Sequence, residues 1–161
     1  MNLQFLSAYI FSAMVSWVPI ASHVMEKKDI TIERYHSIAD TIAKASMEEP
    51  PLFKGKDAEV RTALVLASIA SSESFFIANI DNCKISGDKG KAWGLWQTHA
   101  PKAKVCESRE AAIKIAIDMV RTSFTQCASY NLLDRLSIYT DGECHRDWKR
   151  SNLKCREQLI I

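Results

Sequence analysis

The most constraining stretch of the chain runs from Val60 to Ala70, where Arg61, Thr62 and Ser68 are the polar residues in an otherwise apolar sequence. Folded as a helix it would be apolar around most of its circumference, which requires burial on nearly every side. Such a helix has to stand at the centre of a fold, with other elements packed around it. It ends at Ser71-Ser72-Glu73-Ser74. A carboxylate rarely lies near a core without a partner, and burial would raise its pKa by disfavouring the charged form. Glu73 is therefore a candidate general acid, weighed against the plainer reading of a solvated helix end.

The 161 residues fit one domain with a sizeable core. A hydrophobic fraction of 47% with 25% charged residues is that of a globular chain, and five glycines with four prolines exclude low complexity. The formal charge of +2 decides little, and no dense basic run with interleaved aromatics favours nucleic acid.

Residues Met1 to Met25 carry no charge. They read as an export segment, as an ordinary helix packed on the domain, or as an extended arm if translation begins at Met14. No basic start or small-x-small cleavage site marks a standard signal. Ser, Trp17 and Pro19 interrupt the segment too often for a stable membrane span.

Asp29 or Thr31 can cap a helix to about Ser46, with Ile32, Tyr35, Ile38, Ala39, Ile42 and Ala43 along one face. Pro50-Pro51 stops it, and Asp57 is the expected cap of the central helix. Residues 77–93 are rich in turn formers and predict a long loop or small hairpin, one wall of a cleft. Ser108 caps a helix from Arg109 to about Phe124, with Ile113, Ala116, Ile117 and Val120 facing inward. Leu132, Leu133 and Leu136 suggest a further helix ended by Thr140-Asp141-Gly142, and Trp148, Leu153 and Leu159 anchor a basic helix over residues 147–161. The fold class is mainly α.

Cys83, Cys106, Cys127, Cys144 and Cys155 form no C-x-x-C pair, so disulfides are expected over zinc or redox motifs. Cys127 with Cys144 is the favoured pair, because the two flank the segment from Tyr130 to Tyr139; the alternative is that all five are reduced. His23, His36, His99 and His145 show no i, i+4 zinc pair, and no phosphate or dinucleotide fingerprint is present, so neither a metal nor a cofactor is expected. A cysteine nucleophile, Cys83 or Cys106 with His99, is the minor alternative.

Glu73-Ser74 followed by Gly94-Leu95-Trp96-Gln97 resembles the lysozyme-like superfamily, in particular the soluble lytic transglycosylases and goose-type lysozymes, in which a Glu-Ser pair closes a central helix and a Gly-Leu-Met-Gln segment follows. Trp96 stands where the family has Met. Ile138-Tyr139-Thr140-Asp141-Gly142 resembles a degenerate third motif of that family, with Thr140 in place of Asn.

The resemblance implies a lysozyme-like single domain over residues 26–161, acting outside the cytoplasm or in a phage particle. Its partner would be peptidoglycan glycan strands, bound by a monomer. Glu73 would be the catalytic acid and base, with Ser74, Trp96, Gln97 and Tyr139 at the sugar cleft. Transglycosylases of this family work with one Glu, whereas a hydrolase adds a second carboxylate, for which Asp81 and Asp88 are the candidates. Both are equally explained as turn residues. A glycan-binding module without turnover, and a disulfide-stapled secreted binding protein, are the non-enzyme alternatives.

Overall fold

The computed structural model describes residues 2–131 and 134–144. Leu132, Leu133, His145 and Cys155, and the helix expected over 147–161, lie outside the described residues. What is described is mainly helical, a single small domain. Seven α-helices follow one another as α1 (Leu3–Trp17), α2 (Lys28–Glu48), α3 (Ala58–Ser74), α4 (Ala78–Asp81), α5 (Lys102–Val105), α6 (Arg109–Gln126) and α7 (Ser137–Asp141), with three short 3-10 turns between them.

α3 is the centre. From Val65 to Ser71 every residue is buried, about two full turns with no solvent-facing side. The helix tolerates this because much of its circumference is Ala and Ser, small enough for neighbours to approach closely. Its buried hydroxyls are satisfied locally, Thr62 Oγ1 donating to Ala58 O at 2.8 Å and Ser68 Oγ to Val65 O at 3.0 Å. Val65, Leu66 and Ile69 each contribute roughly 1.5–3 kcal/mol by leaving water.

α2 packs against α1, α3 and α6, which makes it the second axis of the bundle. Tyr35, Ile38, Ala39, Ile42 and Ala43 are buried as the spacing requires, and Glu49 with Pro50 ends the helix. Its start departs from expectation. The helix begins at Lys28, so Asp29 and Thr31 lie inside the first turn, and Thr31 Oγ1 turns back to Glu26 Oε2 at 2.7 Å instead of capping. Asp57 does precede α3, but in the left-handed region (φ 61°) and with no side-chain cap. Ser108 caps α6 as expected, accepting from the Ala111 N–H at 3.0 Å.

The uncharged N-terminal segment is a helix laid on α2 and α3, with Leu6, Ile10 and Met14 fully buried in the common core. Asn2 caps it, its Oδ1 accepting from Phe5 N–H at 2.8 Å. No helix among the described residues is long and apolar enough to cross a membrane.

Between α3 and α6 the chain is irregular. Isolated bridges Gly87–Ala92 and Trp93–Thr98 fold it back on itself, a minimal form of the hairpin that the turn residues predict. Two disulfides close the periphery, Cys127–Cys144 as expected and Cys83–Cys106 in addition. The second leaves neither cysteine available as a nucleophile.

Candidate functional site

Glu73 lies half-buried on the last turn of α3, and beside it opens a cavity of about 570 Å³. Four segments build its wall. α3 supplies Glu73; the chain between Cys83 and Cys106 supplies Asp88, Ala92, Gln97 and His99; α6 supplies Met119; the chain between Cys127 and Cys144 supplies Ile138, Tyr139, Thr140 and Gly142. Glu73, Gln97 and Tyr139 thus meet at one cavity.

The Gly-Leu-Trp-Gln segment explains itself residue by residue. Gly94 takes φ +70°, and a Cβ there would lie 3.0 Å from Val105 Cγ1, so both conformation and space call for glycine. Leu95 and Trp96 plunge into the core. Trp96 is 1% exposed, and its indole N–H donates to Leu66 O of α3 at 3.0 Å. Gln97 then emerges at the cavity, its amide donating back to Gly94 O at 2.8 Å. Its Oε1 occupies the space over Gly87, where a Cβ would come within 2.1 Å.

Tyr139, on α7, donates its hydroxyl hydrogen to the Trp96 carbonyl, tying the third sequence motif to the second. α7 is itself tied to α6 by Ser123, whose hydroxyl accepts from the Tyr139 N–H at 3.4 Å and donates to Arg135 O, in the turn before α7, at 2.5 Å.

Ser74 and Trp96 lie away from the cavity wall. Ser74 is buried; its Oγ donates to Ala70 O at 2.7 Å and accepts from the Phe76 N–H at 3.3 Å, so it closes the helix. Trp96 is a core residue and presents no face to a sugar.

The two acidic candidates separate. Asp81 is drawn into a two-pronged pair with Arg109, Nε to Oδ1 at 2.8 Å and Nη2 to Oδ2 at 2.6 Å, with its side chain 1% exposed. Hydrogen bonding to Asp81 raises the Arg109 pKa further above its ordinary range. This pair borders a different cavity, of about 280 Å³. Asp88 does share the cavity with Glu73. It is half-exposed and lies 3.4 Å from His99 Nε2. The Asp88–His99 pair had no signal in the sequence, since it depends on the two bridges that fold the segment back. Among the described residues no group of three or more His, Cys, Asp or Glu could hold a metal ion.

Just past the end of α3, a partly buried polar cluster packs against Phe76. Arg34 pairs with Glu26, Nη2 to Oε2 at 2.6 Å and Nε to Oε1 at 3.2 Å. His23 Nε2 is 2.7 Å from the Tyr35 hydroxyl, which donates to Val18 O at 3.1 Å. Burial pushes the Tyr35 phenol well above its ordinary range, which keeps it a donor. Between this cluster and Glu73, Phe75 (φ 49°) and Phe76 (φ 51°) stand in succession in the left-handed region. Bulky residues there cost about 1–2 kcal/mol each.

Compared with known proteins, the chain matches no family model, no curated protein and no solved structure.

Proposed function

We propose that this chain is a lysozyme-like peptidoglycan lytic enzyme that cleaves the β-1,4 bond between N-acetylmuramic acid and N-acetylglucosamine, with Glu73 as general acid and then base. The reading rests on one observation, the convergence of Glu73, Gln97 and Tyr139 from three separate segments on one cavity. Those are the residues that the three resembling motifs contribute.

In the step we favour, the protonated Glu73 carboxyl gives its proton to the glycosidic oxygen. The C1–O bond breaks, the N-acetylglucosamine leaves as an alcohol, and an oxocarbenium-like centre develops on the muramic ring. The Glu73 carboxylate then takes the proton of the sugar's own 6-hydroxyl as that oxygen bonds to C1, giving the 1,6-anhydro product. No second carboxylate is needed, in keeping with the engagement of Asp81 by Arg109 at another cavity.

A second reading has its own observation. Asp88 shares the cavity with Glu73 and could orient water, making the enzyme a muramidase. A glycan-binding module without turnover would use the same cavity. Two disulfides fit an oxidising compartment outside the cytoplasm or a phage particle.

Wild type and Glu73→Gln, incubated with purified peptidoglycan and read by mass spectrometry of the products, separate these readings. Anhydro ends that disappear in Glu73→Gln support transglycosylation, and reducing ends lost in Asp88→Asn support hydrolysis. Binding without products from wild type would leave the binding module, and neither binding nor products would remove all three.

A further inference from the structure

The backbone just after Glu73 stands in an unfavourable conformation, and a residue far away in sequence bonds to it. Left-handed Phe75 occupies the position after α3 where glycine is usual, and Phe76 repeats the conformation. Local bonds account for part of this. The Phe75 N–H reaches Ser71 O at 3.0 Å, and the Ile77 N–H reaches Ser74 O at 3.0 Å. The Phe76 ring is fully buried, edge-to-face on Tyr35 with centroids 5.2 Å apart.

The Phe76 carbonyl, however, accepts from Arg34 Nη1, on α2, 42 residues earlier in the chain. Arg34 is 8% exposed and already neutralised by Glu26, so its charge is satisfied without that contact. The remaining arm of the guanidinium is spent on a main-chain oxygen at the end of the helix that carries Glu73. The guanidinium spreads its donors over three nitrogens and so serves the carboxylate and the carbonyl from separate arms; a lysine carries its three donors on one compact head.

We propose that Arg34 is a positioning residue for Glu73. By holding the Phe76 carbonyl it fixes the left-handed pair that stops α3, and so keeps the last turn, with Glu73 on it, from fraying away from the cavity. This rests on reading Glu73 as the proton donor, and it adds a residue that no sequence motif points to.

The test uses the full chain with Arg34→Lys, which keeps a positive charge beside Glu26 but cannot span to Phe76, and with Arg34→Lys/Phe75→Gly, in which glycine adopts the left-handed conformation freely. In Arg34→Lys, kcat on peptidoglycan is expected to fall about tenfold with KM within about twofold. The amides of Phe75, Phe76 and Ile77 should exchange about tenfold faster while those of 63–70 keep their protection. Adding Phe75→Gly should recover most of both losses.

Unchanged kcat in Arg34→Lys would overturn the proposal, as would faster exchange spread through α3 or a failure of Phe75→Gly to rescue. Should Arg34→Lys fold poorly, Glu26→Gln/Arg34→Gln, which removes both charges, is held to the same exchange criteria. If wild type cleaves nothing, the enzyme reading has failed, and the exchange measurements alone decide whether Arg34 holds the end of α3.

Discussion

Tyr139 donates its hydroxyl to the main-chain carbonyl of Trp96, 43 residues earlier in the chain. That bond fastens α7 to the turn from which Gln97 reaches the cavity. Tyr139→Phe removes it while leaving the ring. Stability should fall by about 0.5–1.5 kcal/mol, and turnover on peptidoglycan should fall further than this loss of folded protein explains. Equilibrium urea denaturation beside an activity assay reads both.

Trp96→Phe distinguishes a core tryptophan from a sugar platform. The Leu66 carbonyl loses its donor and a small void opens, for an expected cost of about 2–4 kcal/mol. Glycan affinity of the folded fraction should stay within about twofold. The reverse pattern, weak binding with normal stability, would return Trp96 to the cleft.

Gly87→Ala tests where Gln97 stands. The added Cβ would sit on Gln97 Oε1, the far end of a flexible side chain, which can swing aside at little cost to the fold. The expected outcome is an unchanged melting temperature with reduced activity, similar to that of Gln97→Ala, and no further loss when the two are combined.

Acid should weaken the fold in two stages. His23 is held below its ordinary 6.5 first by burial and then by the Arg34 charge, with Glu26 opposing. Glu26 is held below its ordinary 4.5 first by the hydrogen bond from Arg34, burial opposing and Thr31 assisting. Both groups bind fewer protons folded than unfolded, so stability rises with pH. The His23 contribution is complete above 6.5 and drains as pH falls through its lower folded value. That of Glu26 is complete above 4.5 and drains below it. Denaturation midpoints across this range should fall in both windows, and His23→Gln should remove the upper step alone. A midpoint that rose on acidification would contradict the assignment.

Reduction should affect the cavity before the core. Thiol treatment is expected to abolish glycan cleavage while far-UV circular dichroism keeps most of its helical signal, each disulfide contributing about 2–4 kcal/mol to its own loop. Parallel loss of both signals would show that the loops and the bundle unfold together.

The parts of this fold legible in the sequence are those governed by local spacing. α3 follows from its nearly unbroken apolar run, α6 from apolar periodicity, the end of α2 from Pro50-Pro51, and Cys127–Cys144 from the segment Tyr130 to Tyr139 that the two flank. Choices made by distant partners were not legible. Asp81 and Asp88 look alike as turn residues until Arg109, 28 residues on, takes one of them. Trp96 suits a sugar cleft or a core equally by type, and the Leu66 carbonyl decides. Even a near partner can decide, as where Thr31 suits a helix cap but Glu26, five residues before it, claims its hydroxyl. An uncharged apolar helix and an export segment share one composition, so residues 1–25 could not be divided by pattern alone.

Of the residues that wall the cavity, all but Glu73 and Met119 lie within the two stretches of chain that the disulfides close. The walls of the cavity are therefore tied by two covalent links, whereas α1, α2 and α3 contain no cysteine. A copy kept reduced would hold Glu73 at the end of α3 with those walls untied, and oxidation would complete the cavity around it. Under the proposed function, that order of events would protect the cell that produces the enzyme.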